Sequence, residues 1–132
     1  MKLRSRLIAL SAALAALVAA SAFTAAFARS TPTWNGPVVV PSAQAGDTLA
    51  VLYSGDGGWG PLDQKVARRL ADNGVPTLGI NSLAYFRTDR TADDLAADLA
   101  AHLRAYGRQW GRSKVVLIGY SFGADALPAI IP

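Results

Sequence analysis

Apolar and polar positions alternate in different ways on the two sides of Asp47. Before it, Leu7 to Ala28 runs without a charged side chain behind the basic start Lys2, Arg4 and Arg6. Small residues stand at minus-three and minus-one of two candidate cleavage points, Ala20-Ser21-Ala22 and Ala26-Phe27-Ala28. A basic start, an apolar stretch and an A-x-A site read as a secretory signal peptide over residues 1–28. An uncleaved inner-membrane anchor is the alternative, disfavoured because alanine is weakly apolar and Ser11, Ser21 and Thr24 dilute the stretch. Residues 29–46, broken by Pro32, Pro37 and Pro41, read as a tether. Val38–Val40 offers it a short edge strand, since proline confines strands to edges.

Beyond Asp47 the periods become regular. Thr48–Tyr53 (TLAVLY) is a short apolar run that ends at a glycine-rich loop, Ser54–Gly60. Pro61–Asn73 places Leu62, Val66 and Leu70 four residues apart, which predicts one apolar face of a helix. Pro61 suits its first turn and Asn73-Gly74 its stop. Val75–Ile80 predicts a second strand and Asn81–Arg90 a loop. Thr91–Trp110 predicts the longest helix, opened by a Thr91/Asp94 capping box and striped by Leu95, Leu99, Leu103 and Tyr106. Lys114–Gly119 (KVVLIG) is nearly continuous in apolar character, the mark of a strand covered on both faces. Phe122–Ile131 predicts a last helix, interrupted by Pro128. Strands alternating with helices imply a parallel sheet of the α/β class.

Charge and composition exclude more than they suggest. The whole chain carries 13 Lys+Arg against 9 Asp+Glu, a formal +4. Removing Lys2, Arg4 and Arg6 with the leader leaves 10 against 9, or +1. No basic run interleaved with aromatics remains, so a nucleic-acid footprint is excluded. There is no Cys and a single His, His102. Disulfides, thiolate metal sites, a cysteine nucleophile and a multi-histidine metal centre are therefore excluded, and no cofactor is expected.

The chemistry is concentrated in Gly119-Tyr120-Ser121-Phe122-Gly123, a G-x-S-x-G between the last strand and last helix. In that context the serine sits in a sharp strained turn with its hydroxyl above the sheet edge. Gly119 and Gly123 are needed because side chains there would collide with neighbouring backbone. The helix that follows aims its first amides at an oxygen that becomes charged. Ser121 is thus the candidate nucleophile, and Phe122 N–H the first oxyanion donor. Ser54-Gly55-Asp56-Gly57-Gly58-Trp59 stands where the α/β-hydrolase plan has its second oxyanion loop, with Asp56 or Gly57 as second donor. A phosphate-binding reading of this loop fails, because neither Gly-Lys-Ser/Thr nor G-x-G-x-x-G occurs. The hydrolase order then calls for an acid and a histidine after the serine. Only Asp125 follows Ser121, and it reads as a first-turn helix charge. His102 lies upstream within a helix and reads as a surface residue. No general base is in sight, and an unactivated serine is a poor nucleophile. The fold expected is an incomplete α/β-hydrolase-like parallel sheet (β-α-β-α-β-elbow-α) over residues 47–132.

Three segments, SGDGGW at Ser54–Trp59, GINSLAYF at Gly79–Phe86 and GYSFGADALP at Gly119–Pro128, together resemble the bacterial AcvB/VirJ virulence-protein family. The resemblance spans about residues 47–132, the front half of a family domain. It implies a periplasmic α/β-hydrolase linked to type IV secretion, whose components would be partners. It also implies hydrolysis of the aminoacyl ester of lysyl-phosphatidylglycerol, work done at a membrane surface. Ser121 would be the nucleophile, Ser54–Trp59 would shape the entrance, and Trp59 and Asp125 are candidates for substrate contact. Where the family's G-x-D-S-L segment is expected to carry an acid, this chain has Asn81. The alternative function is a catalytically inert fragment or a non-enzymatic binding or scaffold protein of the envelope. The sheet order of the hydrolase plan also predicts that Val115–Ile118 is left as an apolar, unpaired edge.

Overall fold

The computed structural model describes residues 33–131. The signal-peptide reading of residues 1–28 and the first residues of the tether lie outside that range. Four strands, β1 (Val38–Val40), β2 (Thr48–Tyr53), β3 (Thr77–Ile80) and β4 (Lys114–Gly119), form one sheet in the order β1-β3-β2-β4. The helices are α1 (Pro61–Asp72), α2 (Ser82–Tyr85), α3 (Ala92–Trp110) and α4 (Phe122–Ile130). The class is mixed α/β, with an open sheet whose last three strands are parallel. The strand expected at Val38–Val40 is present, antiparallel to β3 on the outer edge.

Register explains how the core is divided. Val51 pairs with Leu78 and Leu117, and Tyr53 with Ile80 and Gly119. Leu49, Val51, Tyr53, Leu78 and Ile80 therefore share one face, where they cluster with Tyr85, Leu95 of α3 and Ile130 of α4. The other face carries Ala50, Leu52, Thr77 and Gly79, with α1 packed against β1, β2 and β3. Thr91 and Asp94 close the expected capping box at the start of α3, with Thr91 Oγ1 accepting from Asp94 N–H (3.1 Å).

Three expectations change. The buried face of α1 is Asp63, Ala67 and Ala71, whereas Leu62 is 51% exposed. The helix turns its alanines inward, and the four-residue spacing of leucine and valine describes the flank beside them. Asn81–Arg90 is not all loop, because Ser82–Tyr85 makes a helical turn capped by Asn81, whose Oδ1 accepts from Ala84 N–H (3.2 Å). Third, β4 is not covered on both faces. Val115 and Val116 point to opposite sides and are 42% and 47% exposed. Among the described residues β4 pairs with β2 alone and stands at the sheet's other edge, the unpaired apolar edge expected at Val115–Ile118.

The segment after β1 is tied down along its length. Ser42 Oγ donates to Ala71 O (2.6 Å), Gln44 Nε2 to Asp72 O (2.5 Å) and Arg112 Nη2 to Gln44 O (2.7 Å). Among the described residues no helix is long and apolar enough to cross a membrane.

Candidate functional site

Strand order decides where the site lies. β2 has β3 on one side and β4 on the other, so the connections leaving its neighbourhood diverge at the carboxyl ends of the parallel strands. Such a switch point leaves a crevice that ligands occupy. Tyr53, Ile80 and Gly119 end their strands side by side there, and the loops that follow are the three segments singled out in the sequence.

Ser121 is the sole non-glycine residue with positive φ among the described residues, at φ 50° and ψ −121°. Such a conformation costs of order 1–3 kcal/mol for a side chain bearing a Cβ. The surrounding backbone enforces it. Tyr120 N–H donates to Tyr53 O (3.0 Å), Gly123 N–H to Tyr120 O (2.9 Å) and Ala124 N–H to Ser121 O (2.8 Å). A Cβ at Gly119 would lie 2.5 Å from Ala124 Cα, and one at Gly123 would overlap Tyr53 O and sit 2.6 Å from Ser54 O. Both glycines are steric requirements of the turn. Ser121 itself is exposed. Phe122 opens α4, so its N–H has no intrahelical acceptor.

The loop Ser54–Gly60 approaches from β2. A Cβ on Gly55 would stand 3.5 Å from Ser121 Cβ, so Gly55 is the loop residue beside the serine. The two candidate donors of the second oxyanion N–H, Asp56 and Gly57, follow it directly in the loop. Both are exposed; Asp56 lines the cleft described below, while Gly57 has open space around it. Gly58 N–H donates to Gly55 O (3.0 Å), closing a turn, and Asp63 Oδ2 accepts from Gly60 N–H (2.8 Å). The buried Asp63 thus fixes the loop's far end to α1. Ser54 Oγ accepts from Ser82 N–H (3.0 Å), which locks the loop to the Asn81 segment. Trp59 lays its ring on Gly79 of β3 and supports the loop from beneath. It is not among the residues lining the cleft.

An open cleft of about 220 Å³ beside this turn is lined by Asp56, Ser82, Leu83, Phe86, Arg87 and Phe122. Leu83 and Phe86 belong to the GINSLAYF segment quoted from the sequence, but neither they nor Arg87 carry a site role in the sequence reading. Their signal lay in the apolar spacing within GINSLAYFR, which a loop reading set aside. Rings run from this wall into the fold: Phe122 meets Phe86 at 5.2 Å, Phe86 meets Tyr85 at 5.0 Å and Tyr85 meets Trp34 at 4.8 Å, each edge to face. Asp98 anchors the row, accepting from Tyr85 Oη (2.8 Å) and Arg90 Nη1 (2.9 Å), with the Arg90 guanidinium 3.9 Å above the Tyr85 ring.

His102 lies on α3 without contact to Ser121, as a helix residue rather than a base. It is half-buried in α3, with Nδ1 2.7 Å from Asp98 O and Trp34 tilted over it at 6.5 Å. A carbonyl only accepts, so Nδ1 is the donor in this contact. No hydrogen bond joins it to Ser121. Asp125 is exposed in the first turn of α4, its N–H donating to Ser121 O (3.3 Å). Among the described residues no group of three or more His, Cys, Asp or Glu side chains could hold a metal ion.

Comparison with known proteins gives one match. The profile of the family described as bacterial virulence protein (VirJ) covers residues 47–132, well over half of the chain. No curated protein and no solved structure matches the chain.

Proposed function

The chain belongs to the VirJ family of bacterial virulence proteins, and from that premise we propose that it carries the nucleophile of a periplasmic serine esterase. The observation that carries the proposal is the backbone of Ser121. A serine held at positive φ between two glycines that tolerate no Cβ spends stability on presenting one hydroxyl. The turn stands at the end of a parallel strand and at the start of a helix, as a nucleophile elbow of the α/β-hydrolase type requires.

In this reading Ser121 Oγ attacks an ester carbonyl. The Phe122 N–H, with a backbone N–H of the Gly55–Gly57 segment, holds the oxygen that gains charge. No hydrogen bond joins His102 to Ser121, so in this reading the serine proton goes to a base other than His102. The substrate suggested by the family resemblance is the aminoacyl ester of lysyl-phosphatidylglycerol. Its cationic head would find Asp56 on the cleft wall, and type IV secretion components would be partners of the whole protein. Export by residues 1–28 would place the domain in the periplasm.

The second reading, a non-enzymatic envelope binding protein, is favoured by one observation: no imidazole faces Ser121 among the described residues. Release of lysine from lysyl-phosphatidylglycerol vesicles by the gene product separates the two. The esterase reading predicts turnover that falls at least about a thousandfold in Ser121→Ala. No turnover by the unaltered protein, or equal turnover by Ser121→Ala, would contradict it.

A further inference from the structure

We infer that Ser82 Oγ selects which ester the cleft accepts, by pairing with a hydrogen-bonding substituent on the acyl group that a plain alkyl chain lacks. Ser82 is 1% exposed, and its Oγ is buried with no hydrogen-bond partner among the described residues. The same residue lines the cleft with Phe122. Burying a hydroxyl without a partner costs stability. The fold does not use this one. The bond that ties Ser82 to the Ser54–Gly60 loop is made by its backbone N–H, which donates to Ser54 Oγ (3.0 Å). Alanine would keep that bond and shed the cost. A stranded polar atom beside a candidate nucleophile is accounted for by a ligand that pairs with it.

Its position suits that role. Asn81 caps α2 and fixes the residue that opens it, Ser82. Ser54 Oγ in turn donates to Gly55 O (3.3 Å), and Gly55 is the loop residue beside Ser121. Short contacts, rather than a flexible arm, therefore hold Ser82 relative to the nucleophile. An acyl group lying in the cleft would pass the apolar Leu83, Phe86 and Phe122 and meet Ser82 as a buried polar group. The charged side chains of the cleft select less sharply. Asp56 and Arg87 are opposite in sign and exposed, so water screens each of them. A buried hydroxyl discriminates strongly, because an occupant that cannot pair with it leaves it cut off from water. A serine hydroxyl both donates and accepts, so the matching substituent is a hydroxyl or an amine.

The inference rests on the proposed esterase reading for its purpose, and its test reads binding rather than turnover. Ethyl butanoate and its 2-hydroxy and 3-hydroxy derivatives differ by a single hydroxyl. Each is titrated into the isotope-labelled full chain carrying Ser121→Ala, with the amide signals of Leu83 and Phe122 reporting affinity. One of the hydroxy esters should bind about tenfold more tightly than the butanoate. Adding Ser82→Ala should abolish that preference while the melting temperature stays level or rises. Equal affinities, binding of none of the esters, or a preference that survives Ser82→Ala would each overturn the inference. So would a lower melting temperature for the Ser82→Ala chain, which would assign the hydroxyl to the fold. A preference in binding without turnover by the unaltered chain counts against the esterase reading alone. Turnover without the preference counts against this inference alone.

Discussion

Gly123 and Tyr53 meet so closely that the carbonyl oxygen of Tyr53 fills the space where a side chain on Gly123 would begin. The contact joins the end of β2 to the first turn of α4 and fixes the height of Ser121 above the sheet. Gly123→Ala should therefore lose about 2 kcal/mol or more of stability, because backbone rather than a flexible side chain has to move. Chemical denaturation of the variant checks this, and an unchanged midpoint would contradict the packing described.

The strain at Ser121 predicts the opposite sign. Glycine adopts φ 50° without a Cβ clash, so Ser121→Gly should gain about 1 kcal/mol despite the entropy that glycine costs. Ser121→Ala should gain nothing, since its Cβ remains. Equal stabilities for the two variants would show that the turn is unstrained.

Asn81 caps α2 and thereby holds Ser82 N–H on Ser54 Oγ. Asn81→Ala should cost about 1 kcal/mol, the usual worth of a lost cap. Asn81→Asp should be close to neutral, since a carboxylate accepts the same Ala84 N–H. Hydrogen exchange at Gly55–Gly58 should quicken in the alanine variant and stay unchanged in the aspartate one.

Two buried phenols set the alkaline limit. Burial pushes Tyr53 up to about 12, with the nearby Asp98 carboxylate adding to it. Tyr85 is raised by burial, then by its hydrogen bond to Asp98. A phenol in the unfolded chain titrates near about 10, so the folded values lie above the unfolded one. Their stabilisation is complete below about pH 10 and is lost as pH rises toward the folded values. Unfolding free energy measured from pH 9 to 12 should fall, and Tyr53→Phe should make that fall shallower. A flat profile in the unaltered protein would contradict the burial of these rings.

Much of the fold was legible because local signals agreed. TLAVLY, Pro61, the Thr91/Asp94 box and the G-x-S-x-G turn each act within a few residues, and each predicts its element within about one residue of the observed boundary. What depended on tertiary placement was not legible. Which side of α1 is buried follows from how it lies on β1, β2 and β3, which periodicity along α1 cannot report. Coverage of β4 depends on a neighbour, and its apolar run looks the same whether that neighbour is present or not. In the candidate site, Ser121 and its two glycines were recognisable by their steric need. The cleft roles of Phe86 and Arg87 were not, because what brings them beside Phe122 is the order β3-β2-β4 rather than any spacing in the chain.

The central claim is that Ser121 is a presented nucleophile, and the most direct test reports on that oxygen. The gene product is incubated with a fluorophosphonate and its peptides are weighed by mass spectrometry. The account predicts a single phosphonyl adduct on the peptide containing Ser121, absent from Ser121→Ala. No adduct on the unaltered protein, or an adduct on another serine that persists in Ser121→Ala, would contradict it.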